Sequence, residues 1–185
     1  MNGREFLDTN VLIHAHDARD PRKRACAREL IRRLLRERRG VLSLQVLQEF
    51  FAAATRKLGM SSEDARRRIV QYSRFDVVTL GVSDVVAAID LHRLHRLSIW
   101  DALVVRAALN GACTTLHTED MQSGFMVERL AFRNPFVPIA EIRALPEPPP
   151  KERPVGIDRG MKVPDSFFEP LPDELLRAFG IDDEP

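Results

Sequence analysis

Four carboxylates, Asp8, Glu49, Asp101 and Asp120, each stand against an apolar run. Their contexts are Phe6-Leu7-Asp8, Leu47-Gln48-Glu49-Phe50, Ile99-Trp100-Asp101-Ala102-Leu103 and Leu116-His117-Thr118-Glu119-Asp120. Acids so placed lie at the edge of a core and not on a freely solvated face. Brought together they repel one another, and a divalent cation makes the cluster tolerable. Oxygen donors without a Cys or His cluster suit the hard cations Mg²⁺ or Mn²⁺ and argue against zinc. One such ion activates water and a second can stabilise the departing oxygen of a phosphodiester. The chemistry indicated is metal-assisted phosphoester cleavage. Taken singly, each acid has an ordinary explanation as well: Asp8 as a cap for Val11, Glu49 as a solvated helix residue, Asp101 as a helix-start charge, Asp120 as a turn residue.

The elements that would position these acids follow from apolar periodicity and from turn residues. Arg4 to Leu7 reads as a central strand ending at Asp8. A helix is expected from Val11 to His16, with Thr9 or Asn10 near its cap. Asp20-Pro21 opens a long helix with Pro21 at its first position, an arginine-rich outer face, and Gly40 at its end. Val41 to Leu44 is a short buried strand, followed by a helix carrying Val46, Leu47, Glu49, Phe50 and Ala54. Ser61-Ser62 caps a basic helix containing Arg66, Arg67 and Arg68. A strand over Phe75 to Leu80 precedes helices capped at Ser83 and Ser98, the second containing Asp101 and stopped by Gly111. Cys113 to His117 is a strand leading to Thr118-Glu119-Asp120, and Val127 to Phe132 a final edge strand. This alternation implies an α/β fold, a mostly parallel central sheet covered by helices on both faces. Asp8 and Asp120 then follow strands on the side where open α/β sheets bind ligands. Glu49 and Asp101 lie about one turn into helices that face the same crevice.

Composition bounds the rest. The chain has 185 residues, 44% hydrophobic and 30% charged, as expected of a soluble globular domain with a segment left over. No apolar stretch approaches the roughly 20 residues that cross a bilayer. With no signal peptide visible and with Cys26 and Cys113 lacking metal-ligand spacing, the expectation is a cytoplasmic protein with two reduced structural thiols and no membrane association. The net charge of +1 hides an asymmetry: residues 1–143 hold 23 Lys and Arg against 17 Asp and Glu, and residues 144–185 hold 5 against 10. A basic body suggests an anionic substrate, with an acidic tail competing for the same surface. Nine of the twelve prolines lie at or beyond Pro146, so an extended linker is expected there. The boundaries read as a domain over 1–140, a linker over 141–155 and a terminal segment with a short helix over 156–185. The arginines at 32, 33, 36 and 39 and at 66–68 suit either RNA phosphates or a solvated face. The same reading makes Trp100 a packing residue that orients Asp101.

In combination, Leu7-Asp8-Thr9-Asn10-Val11-Leu12-Ile13, Gln48-Glu49-Phe50, Trp100-Asp101-Ala102-Leu103 and Thr118-Glu119-Asp120 resemble the motifs of the PIN-domain family in order and spacing. The likeness is nearest to bacterial VapC-type toxins, which are Mg²⁺-dependent endoribonucleases, and it spans about residues 4–138, closing at Arg133-Asn134-Pro135-Phe136. It implies a three-layer α/β/α domain. It further implies Asp8, Glu49, Asp101 and Asp120 as catalytic, metal-binding acids, with Asn10 and Thr118 as polar support. Glu119 beside Asp120 leaves two adjacent acids, of which Asp120 matches the family position. An RNA substrate and a dimer or higher assembly are implied too. The stretch from Gly160 to Leu176 resembles the toxin-binding segment of Phd/VapB-type antitoxins, although no DNA-binding domain precedes it. That likeness implies an inhibitory segment acting in cis or in trans. By their position just before the anchor Phe167-Phe168, Arg153, Arg159 and Lys162 are the candidate cations for the acid cluster. Two other function classes fit an aspartate after a first strand. One is an α/β phosphatase, although Asp8-Thr9-Asn10 lacks the second aspartate that haloacid-dehalogenase-type phosphatases carry. The other is a metal-bound RNA-binding module without catalysis.

Overall fold

A computed structural model describes residues 3–137. Met1, Asn2 and residues 138–185 lie outside the described residues, and with them the expected linker, the antitoxin-like segment, Arg153, Arg159, Lys162, Phe167 and Phe168. Among the described residues the strands are β1 (Arg4–Leu7), β2 (Gly40–Ser43), β3 (Asp76–Val78), β4 (Cys113–His117), β5 (Met126–Val127) and β6 (Leu130–Arg133). They form one sheet in the order β3-β2-β1-β4-β6-β5, parallel throughout except for β5 against β6. The helices are α1 (Thr9–His14), α2 (Pro21–Glu37), α3 (Leu44–Lys57), α4 (Ser62–Tyr72), α5 (Val82–His95) and α6 (Ile99–Asn110). The chain steps outward from β1 through β2 to β3 and then back across to β4. Right-handed crossovers therefore put α1 to α4 on one face and α5 and α6 on the other.

Phe6, Leu7, Val41, Leu42 and Leu116 of the three central strands are fully buried, and Val11, Leu12, Leu34, Val46, Phe50 and Val105 of the helices close over them. Near-continuous apolar strands are what a parallel sheet covered on both faces requires. Among the described residues no helix is long and apolar enough to cross a membrane. Both cysteines are free, Cys113 buried and Cys26 half-buried.

Several element ends differ from the sequence-based expectation, each for a local reason. Helix α1 begins at Thr9 and ends at His14, because the Asp8 carboxylate itself caps it by accepting from the Thr9 N–H. Helix α2 opens as expected, with Asp20 accepting from the Lys23 N–H at 3.0 Å and Pro21 next in line. It stops at Arg38, whose left-handed backbone (φ 54°) takes the role expected of Gly40. Gly40 instead starts β2, where a Cβ would overlap the Phe75 ring and Leu34. Helix α5 is capped at Gly81, whose N–H donates to Asp84 at 3.0 Å, and not at Ser83. The single final strand is a hairpin instead. Glu128 turns with φ 52°, so β6 pairs inside the sheet and β5 forms the edge.

Part of the arginine face of α2, and Arg39 just beyond it, is taken up by the chain's own acids. Glu5 on β1 is buried and receives Arg33 at 2.8 Å, Arg39 at 2.5 Å and the His117 ring at 2.6 Å. Glu37 takes Arg39 at 2.8 Å, and Arg32 pairs with Glu29 at 2.8 Å. On α4, Arg67 pairs with Asp64. Burial would raise the Glu5 carboxyl, but the hydrogen bonds and charges of His117 and Arg33 outweigh it and hold it at about 2. Because the folded value lies below the ordinary 4.5, this group stabilises the fold above pH 4.5 and loses that contribution as pH falls toward about 2. The contribution is on the order of 3 kcal/mol. Urea unfolding of Glu5→Gln against the parent should show a large deficit at pH 7 that shrinks below pH 4.5. A deficit unchanged down to pH 3 would remove Glu5 as the acid-sensitive group.

Candidate active site

Strand β1 lies where the strand order reverses, with β2 on one side and β4 on the other. Open α/β sheets leave a crevice beyond the strand ends at such a point. Asp8 follows β1 directly, and Thr118 to Asp120 follow β4. The Asp8 N–H donates to the His117 carbonyl at 3.0 Å, and the Thr118 N–H donates to the Arg133 carbonyl at 3.1 Å. The two acid-bearing loops are thus fixed to the sheet by backbone.

The Asp8 side chain accepts from the Thr9 N–H at 2.6 Å, the Thr118 hydroxyl at 2.7 Å and the Asn10 amide at 3.0 Å. The same Asn10 amide group reaches Asp120 and the Thr118 hydroxyl oxygen, both at 3.2 Å. Its carbonyl oxygen is buried without a partner. Turning the amide over would set that oxygen against two carboxylates, so an orphaned acceptor is the less costly arrangement. Glu49 joins through the Thr9 hydroxyl at 2.7 Å and is steadied by Gln45, one turn earlier on α3, at 2.8 Å. Glu119 is engaged by Lys23 and by the His14 ring, whereas Asp120 shares Asn10 with Asp8. Asp101 caps its own helix with Ser98, accepting from the Ser98 hydroxyl at 2.8 Å. It lines the same cleft, but no hydrogen bond ties it to the other three acids.

Asp8 is only 7% exposed. Burial pushes its carboxyl up to about 6, against the hydrogen bonds from Thr118 and Thr9, and the charges of Asp120 and Glu49 push the same way. Its donors stop short of offsetting the accumulated negative charge. Among the described residues, no three acids, histidines or cysteines are drawn close enough to enclose an ion. Thr9 with Gln45, Ser98 and Asn10 hold Glu49, Asp101 and Asp120 respectively at their own positions. By donor type the set fits a divalent cation well, since it offers carboxylate oxygens around one buried, under-compensated acid.

The cleft has a volume of about 540 Å³. Helix α3 contributes Glu49, Ala52, Ala53, Arg56 and Lys57 to it, a single face at helical spacing. Trp100 lines the same cleft and is 64% exposed, so it is not the core residue that the sequence suggested. Thr9 and Gln45 were also missed as site residues. Their signal was present, Thr9 standing beside Asp8 and Gln45 four residues before Glu49 on one helix face.

A PIN-domain family model matches residues 6–124, well over half of the chain. No curated protein matches. Among solved structures, Mycobacterium tuberculosis VapC20, a sarcin-ricin-loop-cleaving toxin, is similar at 20% identity with a TM-score of 0.51. That match covers 63% of this chain and 89% of the other. A toxin–antitoxin complex from Klebsiella pneumoniae is similar at 18% identity and TM-score 0.53, covering 71% of this chain and 97% of the other. At such identities the two structures establish a shared fold. Together with a family model spanning both acid-bearing strand ends, that shared fold shows that the chain belongs to the PIN-domain family.

Proposed function

We propose that the chain is a divalent-metal-dependent endoribonuclease of the toxin class, acting through Asp8, Glu49, Asp101 and Asp120. The observation that carries this reading is the convergence of the four acids on one cleft at the switch point, with Asp8 buried and short of compensating charge. The two similar structures, an RNA-cleaving toxin and a toxin–antitoxin complex, add support. A bound Mg²⁺ or Mn²⁺ would supply Lewis acidity, making water a better nucleophile and offsetting charge on the phosphate oxygens. The chain's own part is positional. Asn10 and Thr118 orient the Asp8 and Asp120 carboxylates, and Thr9 and Gln45 orient Glu49, so that little reorganisation is needed when the cluster is engaged.

The segment 156–185 is proposed to inhibit this site, in cis or across a dimer. Support comes from its antitoxin-like sequence, from its cations Arg159 and Lys162, and from Arg153 at the end of the linker, which suit an acid cluster. A proline-rich linker raises the local concentration of such a segment without any gain in intrinsic affinity. A second copy is the proposed partner for α5, whose Val82, Val85, Val86 and Ile89 form an exposed apolar stripe at helical spacing.

These readings separate experimentally. With Mg²⁺, the chain lacking residues 146–185 should cleave structured RNA at least about ten-fold faster than the full chain. Equal rates would dispose of inhibition by the tail. In the shortened chain, Asp8→Asn should lower cleavage at least about 100-fold and chelator should abolish it. Cleavage persisting in Asp8→Asn would sink the proposed mechanism. Metal-dependent RNA binding without any cleavage would favour the non-catalytic alternative, and release of phosphate from monoesters the phosphatase. Val86→Glu should convert a dimer to a monomer in sedimentation, and an unchanged mass would exclude α5 as the contact.

A further inference from the structure

The geometry points to Trp100, with Arg56 and Lys57, as a recognition platform for single-stranded RNA: the indole stacks on an unpaired base while the two cations hold neighbouring phosphates. This rests on the nuclease reading above and names what that reading leaves open, the residues of this chain that hold the strand. Trp100 sits in the first turn of α6, next to Asp101, and is 64% exposed. It takes no place in the core and stacks on no other ring among the described residues. Ser98 caps that turn at 3.0 Å, so the indole projects from a fixed backbone position at the cleft wall.

Three cations line the same cleft, Arg19, Arg56 and Lys57. Arg19 is spent on Asp17, which it grips through the side-chain contacts at 2.8 and 2.9 Å. Arg56 and Lys57 pair with no acid among the described residues. Position in the last turn of α3 favours cations on any face of that helix. These two share the face that carries Glu49, so their charge is delivered into the cleft. An exposed ring and uncommitted cations lining one cleft are how proteins hold single strands: each base offers a π-face and each phosphate a charge. A duplex fits poorly, because its bases are stacked inward and out of reach of a ring on a cleft wall.

Trp100 is the only tryptophan in the chain, so its emission reports this residue alone. The full chain and the chain lacking residues 146–185 are each titrated in Ca²⁺ buffer with a fluorescein-labelled single-stranded RNA decamer until the anisotropy saturates. The expected result is quenching of the tryptophan emission along the same binding curve, and no quenching by the decamer annealed to its complement. Trp100→Ala should raise the decamer Kd about ten-fold, with Trp100→Phe largely restoring it. Arg56→Ala and Lys57→Ala should each reduce the salt slope of binding by about 0.7. Saturating anisotropy with unchanged emission overturns the proposal, as do no binding by either chain and equal quenching by the duplex. It is overturned too if Trp100→Ala changes only the sedimentation mass, which would make the ring a subunit contact. Mg²⁺-dependent cleavage beside an unresponsive indole would leave the nuclease standing and remove the platform. Quenching without cleavage would do the reverse.

Discussion

The Asp8 carboxylate is buried, short of donors that carry charge, and flanked by other acids, and much of the domain is arranged around holding it there. Its backbone N–H is tied to β4 through the His117 carbonyl, and its side chain takes hydrogen bonds from Thr9, Asn10 and Thr118. All three donors are neutral. They fix the orientation of the carboxylate, and Thr118 and Thr9 lower its pKa, but burial with the Asp120 and Glu49 charges wins, leaving a carboxyl at about 6. A group held in this condition costs stability in the free protein, which is the usual cost of a site prepared for a charged ligand.

The other end of β1 supplies an internal control. Glu5 is nearly as little exposed as Asp8 but less deeply enclosed, and Arg33, Arg39 and His117 surround it, so its carboxyl is held at about 2. The fold therefore neutralises one buried acid on β1 with its own cations and leaves the other to neutral donors. His117 links the two, its ring on Glu5 and its carbonyl on the Asp8 N–H. The Glu5 cluster thereby anchors the strand pair from which the acid cluster projects. Loss of Glu5 should be felt first as loss of stability, and at the site only through that shared residue.

The fold class and the acids were legible because they rest on short-range pattern. Apolar strands alternating with helical periodicity define a covered parallel sheet, and an acid directly after a strand falls on the ligand side whatever the details. Boundaries were less legible where two chemistries compete for one residue. Gly40 looked like a helix stop, but the tight approach of Phe75 requires glycine in the strand, and Arg38 accepts the left-handed turn. Asp8 could be read as a cap or as a ligand; it is both cap and cluster member, which no single-residue argument distinguishes. Trp100 was misplaced because apolarity suggests burial, whereas exposure depends on what packs opposite the first turn of α6, a long-range fact. The pairing of Arg33 on α2, and of Arg39 just past it, with Glu5 is likewise tertiary.

On the proposed nuclease reading, α3 answers in part how a polyanion would approach a cleft rich in carboxylates. Glu49, Ala52, Ala53, Arg56 and Lys57 share its cleft face, with alanines between the acid and the cations. At 1.5 Å of rise per residue, Arg56 stands about 10 Å further along the helix axis than Glu49. A phosphate drawn to Arg56 or Lys57 is therefore not the one beside the acids but a neighbour along the strand, and small side chains between them leave room for the sugar and base. Attraction and chemistry are separated along one helix. Direct neutralisation of the acids by Arg56 or Lys57 would have removed the very charge that a divalent cation needs, so the spacing keeps both functions available.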